Sequence, residues 1–583
     1  MDLKLFNEVK DMWTQKEIQA QLAMINGQAS PDIVIQNATY LHSIFKTWCT
    51  GHIWIHNERI VYTGEALPEK MDGTEVIDAS GKKIVPGYIE PHVHPFQLYN
   101  PLTFAQYAGA LGTTTFISDN LTFFMGHDNE TIFTLLDQLK KQPFHYYWWA
   151  RMDSQTALQD EEAQFNPQDI MPWLLHEDVL LAGELTGWPR LLKGDPNMFA
   201  TVQAAKEARK KIEGHLPGAS EKTLARMKLL GVDGDHESMT AEEVKRRLLH
   251  GYAVTLRHSS IRPDLPNILK ELVEEGLDVF DHLMMTTDGS TPSFHLDGVM
   301  DKCIQAALDA GVEPIDAYLM ASYNVARYYD MDDYHGVIAT GRYATLNFLE
   351  DELNPVPTDV LAKGVWLKKE GVTQDVFEPI DWSVLRPFNP TFELYEEDFI
   401  VDHALGIEMV NDVITKPYEI TIDTTVERLS DDHDESFIML LNREGNWRVN
   451  TLIKGFATHV EGFASSYSNT GDMILIGKDR NAMNQAFEVL KELGGGMVLI
   501  EKGQPIVTLP LPISGGLSTE RVEDLIEQEI VLKTALKDRG YHHTDAVYTF
   551  LFLQSTHLPY IRITPIGLYD VMKNKVLVPV TER

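Results

Sequence analysis

The 583-residue sequence predicts an α/β protein: a (β/α)8 barrel of the TIM type, a small flanking β-domain and a C-terminal α+β domain. Two observations predict it. Between residues 84 and 290, eight apolar, strand-like runs alternate with longer helical stretches, the pattern of a parallel sheet with crossover helices. On either side, short alternating strands punctuated by Asn, Gly and charged turns replace the long helices. A chain of this length exceeds one ordinary core, so two or three domains are expected.

The first thirty residues carry apolar side chains at helical spacing and end in a Gly/Ser break, which predicts a helical lead-in over 1–30. "DIVIQNATYLHS", "HIWIHNERIVYTGE" and "EVIDASGKKIVPG" read as strands of the small β-domain over 31–83. "HGVIATGRYATLNFLE" and "LAKGVWLKKEG" return to short strands and complete that domain over 336–378. The barrel runs, within 84–335, are "KIVPGYIE", "TTTFISDN", "HYYWWARM", "VLLAGELT", "KKIEGHLP", "LLGVDGDH", "YAVTLRHS" and "DVFDHLMM", with a helical segment near 299–328. Residues 379–400, rich in Pro and aromatics, read as a linker. The third unit spans 400–583, with helices near 481–493 and 519–538 among glycine-punctuated strands.

Composition narrows the function. Lys+Arg total 50 against Asp+Glu 86, a formal charge of −36 that repels a nucleic-acid backbone, so no DNA or RNA polymer is expected as partner. Hydrophobic residues at 44% and charged residues at 23% are a soluble globular composition. With only Cys49 and Cys303 there is no disulfide framework, which points to a reducing, cytoplasmic setting. The first thirty residues have no signal-peptide core, and no run nears the roughly 18 apolar residues of a membrane span. No membrane partner is expected.

The chemistry collects at the strand ends. His92 and His94 in "PHVH" alternate at strand spacing, so both imidazoles project together. Glu184 lies at the end of run four in "AGELTG", run five supplies His215 in "EGHLPG", run six ends in His236 in "GDHES", and Asp288 follows run eight in "TTDGS". Barrel enzymes build their sites at such carboxyl ends. Any one of these histidines is unremarkable as a surface or core residue; their joint placement indicates metal. A mononuclear zinc site needs three protein ligands and a water, so four imidazoles and two carboxylates suit two divalent ions with a bridging carboxylate. Mn²⁺ or Fe²⁺ suits this mixed N/O set as well as Zn²⁺ does.

"VPGYIEPHVH" resembles the first-strand signature of the amidohydrolase superfamily, and the fuller pattern resembles its adenine deaminases. The supporting segments are "GELTG", "GHLPG", "GDHES", "TTDG", "MASYNVARYYDMDDYHGVIATGRYATLNFL", "GFATHVEGFASS" and "ELGGGMVLIEKGQPIVTLPLPISGGLS", spread over roughly residues 30–540. The resemblance implies metal ligands at His92, His94, Glu184, His215, His236 and Asp288, with Glu184 in the bridging place that a carboxylated lysine fills in many relatives. Three segments depart from the family: "PFQLYNP" follows the first His-x-His, "TTDGS" replaces a Thr-Asp-Asp-Arg run, and "YSNTGDM" replaces a His-Asp-Ser-His-Asn run in the C-terminal unit.

The expected reaction is hydrolytic deamination of a 6-aminopurine by metal-activated hydroxide, within purine salvage: adenine to hypoxanthine and ammonia, or N6-alkylated adenine to hypoxanthine and an alkylamine. Glu237, beside His236, is the expected proton carrier, with Asp288 as a second acceptor and His258 a candidate contact to the ring or intermediate. Trp188, Tyr99 and Phe124 are candidate stacking residues. Gly289 removes side-chain volume near the reacting centre, which would admit an N6 substituent. The competing readings are a hydantoinase- or dihydroorotase-like cyclic amide hydrolase and a non-catalytic scaffold. The expected partners are a small purine substrate and further copies of the chain in a homo-oligomer.

Overall fold

The computed structural model describes residues 14–583; the part of the expected lead-in over 1–13 lies outside the described residues. The rest forms the helix Gln15–Ile25, opened by a capping box between Thr14 and Glu17. Five strands before the barrel (Ile33–His42, Thr47–His56, Arg59–Gly64, Glu75–Asp78, Lys83–Pro86) share one sheet with four after it (Leu346–Leu349, Asp359–Ala362, Val365–Lys369, Val372–Thr373). Lys83–Pro86 and Leu346–Leu349 join the halves antiparallel. "KIVPGYIE" is therefore not one strand. Pro86 ends a strand of the flanking sheet, and the barrel starts at Tyr88. Gly87 makes the passage because a β-carbon there would collide with Thr114 and Thr345.

The barrel strands are Tyr88–Val93, Thr113–Ser118, His145–Ala150, Val179–Leu185, Lys211–Gly214, Gly234–Asp235, Ala253–Arg257 and Leu283–Thr286. They pair in sequence order, every pair parallel. First and last meet through a parallel bridge between Val93 and Asp288. The buried Glu90 carboxylate reinforces that seam, accepting from Thr286 Oγ1 (2.6 Å) and Thr287 N (2.9 Å). Ile89, Ile117, Tyr147, Trp149, Leu181 and Met284, drawn from five strands, meet in one interior cluster. In the seventh strand Val254 and Leu256 pack outward on Leu265, Ile268 and Leu269 of the following helix. Period-two alternation then turns Arg257 inward.

The C-terminal unit is built on a nine-stranded sheet from Leu405–Met409 to Gln504–Pro510, edged by Thr581–Glu582. Helices Arg480–Leu493 and Val522–Asp538 lie where the periodicity predicts them, and a shorter one, Ala546–Phe552, was not anticipated. Residues 379–400 are not a free linker, since Phe388, Leu394 and Phe399 are buried in this unit's core. The unit is seated on the barrel mouth. Ser518 N donates to Leu98 O at 2.6 Å, Asn100 Nδ2 to Ser518 O at 2.9 Å, and Thr156 Oγ1 to Gln554 O at 2.7 Å. Among the described residues no helix is long and apolar enough to cross a membrane.

Candidate metal-dependent active site

Six side chains from the ends of four strands and the loop after the eighth converge at the barrel mouth. The His92 and His94 rings lie 5.3 Å apart and nearly perpendicular, and His92 stacks on Trp149 at 4.5 Å. Glu184 Oε1 meets His215 Nδ1 at 2.5 Å and His236 Nε2 at 3.2 Å, while Oε2 faces His94 Nε2 at 3.8 Å. Asp288 Oδ1 lies 3.2 Å from His94 Nε2. Among the described residues four overlapping groups of donor atoms lie within 4.8 Å of one another, and two of them, His92–His94–Asp288 and Glu184–His215–His236, divide these six residues. Glu184 stands between them.

A second set of side chains holds these in place. Asp119 Oδ2 accepts from His94 Nδ1 and from Arg151 Nη2, each at 2.8 Å, while Oδ1 accepts from Arg151 Nε at 2.8 Å. Arg151 Nη2 also reaches Glu184 Oε2 at 3.0 Å, and Gln155 donates to that oxygen at 2.9 Å. Glu213 accepts from His236 Nδ1 at 2.9 Å. Carboxylate-backed imidazoles keep one tautomer and one orientation, leaving the other nitrogen for a metal. Glu237 is clamped by Arg257 (2.6 Å) and Arg262 (2.8 Å), and Arg257 Nε also holds Asp288 Oδ2 at 2.8 Å.

The proton affinities follow from this crowding. Burial alone would raise Glu237, but His215, Arg257 and Arg262 outweigh it and hold the carboxyl well below the usual range. Glu213, likewise buried, is brought down to about 2 by His236 and His92. Burial would depress His94, yet Asp119 and Asp288 push it up to about 9. Glu90, at the seam, is raised by burial to about 7. Five buried carboxylates (Asp119, Glu184, Glu213, Glu237, Asp288) face three guanidiniums (Arg151, Arg257, Arg262), so neutral imidazoles leave an excess of two negative charges. Both nitrogens of His92 are buried without a hydrogen-bond partner. Unbonded buried nitrogens beside uncompensated carboxylates fit divalent cations.

The amidohydrolase family profile matches residues 84–377, and the adenine deaminase C-terminal domain profile matches 412–575. The chain belongs to the amidohydrolase family. A Bacillus cereus protein named "Putative adenine deaminase" is 51% identical, over 99% of each chain. A Bacillus subtilis protein of the same designation is 50% identical, over 97% of this chain and 98% of its own. A Bacillus velezensis protein named "Adenine deaminase" is 27% identical, over 94% of this chain and 96% of its own. Among solved structures, a β-aspartyl dipeptidase from Fervidobacterium islandicum aligns at a TM-score of 0.45 and 17% identity, over 59% of this chain and 99% of that one.

This amidohydrolase carries a donor set for divalent metal, and the structure brings His92, His94, Glu184, His215, His236, Glu237 and Asp288 together. It does not bring His258. One residue past the inward-facing Arg257, that ring packs edge-on against Phe294 at 5.6 Å, where burial and Lys302 lower it to about 4. The aromatic candidates have packing partners of their own. Tyr99 is fully buried, stacked on Phe104, and Phe124 packs on Phe165, while Trp188 leans on the barrel's core. Nor is the volume beside Gly289 free. A β-carbon there would lie 2.6 Å from the Tyr548 hydroxyl, 3.0 Å from Gln97 Nε2 and 3.1 Å from His94 Cδ2. The glycine admits Tyr548 rather than a substrate substituent.

Sequence reasoning missed Asp119, Arg151, Glu213, Arg257 and Arg262, although the first four lie within or just past barrel strands, at the same carboxyl face as the ligands. Tyr548 and His557, whose ring sits 5.1 Å from that of His215, come from the C-terminal unit and have no local signal. Asp119→Asn tests the support of His94. Losing a carboxylate behind a ligating histidine weakens metal affinity about 10–100-fold, measurable by chelator competition, and wild-type affinity in that variant would mean that Asp119 does not orient His94.

Proposed function

We propose that this chain hydrolyses the exocyclic C–N bond of a 6-aminopurine, turning adenine into hypoxanthine and ammonia, with an N6-alkylated adenine following the same chemistry to hypoxanthine and an alkylamine. One observation carries the reading: Glu184 belongs to one ligand triad and lies 3.8 Å from His94 of the other, with the Glu237 carboxylate 3.6 Å from His215 and 3.5 Å from His236, in a chain whose C-terminal unit matches the adenine deaminase domain. That match favours deamination over cyclic-amide hydrolysis.

His92, His94 and Asp288 would hold one ion and Glu184, His215 and His236 the other, Mn²⁺ or Fe²⁺ being the proposed metal with Zn²⁺ the alternative. When bound, the metal pair makes hydroxide available near neutral pH. Glu237 is held ionised by Arg257 and Arg262, so its first act is to accept a proton rather than to donate one. It then returns that proton to the exocyclic nitrogen, which leaves as a neutral amine while C6 retains the oxygen. Asp288, fixed by Arg257, is the second proton acceptor. Trp149 closes the cluster on one side, stacked on His92. An alkyl group on the departing nitrogen changes none of these steps. Acting on a free base places the enzyme in purine salvage, in the cytoplasm.

A purified-enzyme assay of adenine, N6-methyladenine and cyclic amides, followed by ultraviolet absorbance, tests the reading. Chelator-stripped protein is expected to be inactive on every compound, and Mn²⁺ or Fe²⁺ to restore turnover of one or both aminopurines; turnover of a cyclic amide alone would refute it. Glu237→Gln is expected to keep its metal and lose about 10²–10⁴-fold in kcat. An unchanged rate and pH profile would reduce Glu237 to a partner for the two arginines.

A further inference from the structure

The three segments where the sequence departs from its family lie far apart in the chain, and in space they meet. Tyr467, from the C-terminal unit, donates its hydroxyl to Gln97 Oε1 in the loop after the first barrel strand. The other end of that amide, Nε2, borders the α-carbon of Gly289 beside the Tyr548 hydroxyl and the edge of His94. Gln97, Tyr467 and Tyr548 are 7%, 5% and 5% exposed, so the arrangement is a packed wall. Its loop is pinned from outside by the Leu98–Leu517 bridge and the Ser518 and Asn100 hydrogen bonds. On its other side Tyr467, with Phe96, lines a cavity of about 390 Å³ between barrel loops and C-terminal unit, which none of the six ligand-type residues reaches.

The polarity of this wall has a consequence. Tyr467 donates to the acceptor end of the Gln97 amide, leaving the N–H donors of Nε2 on the side of His94, with the Tyr548 hydroxyl beside them able to donate or accept. An unsubstituted aminopurine ring offers acceptor nitrogens and no carbonyl. Resting on the deaminase reading above, we propose that Gln97, oriented by Tyr467, determines specificity by donating an N–H to one ring nitrogen of the 6-aminopurine. Tyr467 is then a positioning residue, and the C-terminal unit serves the reaction by fixing one amide at the barrel mouth.

The test compares metal-replete wild type, Gln97→Met, Tyr467→Phe and the double variant on adenine and on 1-, 3- and 7-deazaadenine, each analogue replacing one ring nitrogen with CH. Wild type is expected to discriminate against one analogue by about 10–100-fold in kcat/KM. Gln97→Met should lose a similar factor on adenine, mainly through KM, and treat adenine and that analogue alike. Tyr467→Phe should fall between and add nothing to Gln97→Met, and all variants should hold wild-type metal content. Wild-type KM and discrimination in Gln97→Met would overturn the assignment, as would loss of metal from it, which would make Gln97 structural. Absence of aminopurine turnover by the metal-replete wild type would instead sink the deaminase reading and this inference with it.

Discussion

Concentrated buried negative charge is the constraint on which the site depends. Five carboxylates lie at the barrel mouth, all nearly excluded from solvent, and isolated charges so placed cost several kcal/mol each. The chain offsets this in two ways. Arg151, Arg257 and Arg262 are buried or half-buried against the carboxylates, each bonding at least one directly. The remaining negative excess draws positive charge onto the imidazoles, as the raised proton affinities of His94, His215 and His236 show. Divalent metal meets the same demand.

The architecture supplies this arrangement economically. Eight parallel strands bring their carboxyl ends to one face, so residues 92 to 288 meet although nearly two hundred positions separate them. The flanking sheet anchors the start of the barrel through Lys83–Pro86, just upstream of the histidine pair. Over the mouth, the C-terminal unit contributes Tyr467, Tyr548 and His557, closing around a centre that the barrel alone would leave more exposed to water. Trp149, stacked on His92, links the ligands to the apolar barrel interior.

Much of this is legible in the sequence, for identifiable reasons. All eight apolar runs overlap a barrel strand, because buried parallel strands read as continuous apolar stretches. The six ligand-type residues stand out because each sits where such a run ends. The errors have physical causes too. Pro86 and Gly87 hide a change of sheet inside one apolar run. Parity misled at the seventh strand, where Arg257 faces the site and His258 faces away, although both stand at the strand end. Asp119 and Arg151 also stand at strand ends, but a buried ion pair looks like surface charge in a sequence. Gly289 pointed to open space, whereas Tyr548, over 250 residues later, fills it; no local pattern encodes such a contact.

The central claim is that Glu184 holds two cations together from between the two triads. Metal analysis of wild type and Glu184→Gln, purified identically and titrated with Mn²⁺, tests it most directly. The account predicts about two ions per wild-type chain, one for each triad, and weakened binding at both sites in the variant with the fold intact. Two ions bound with wild-type affinity by Glu184→Gln, or fewer than one ion per chain in active wild type, would contradict it.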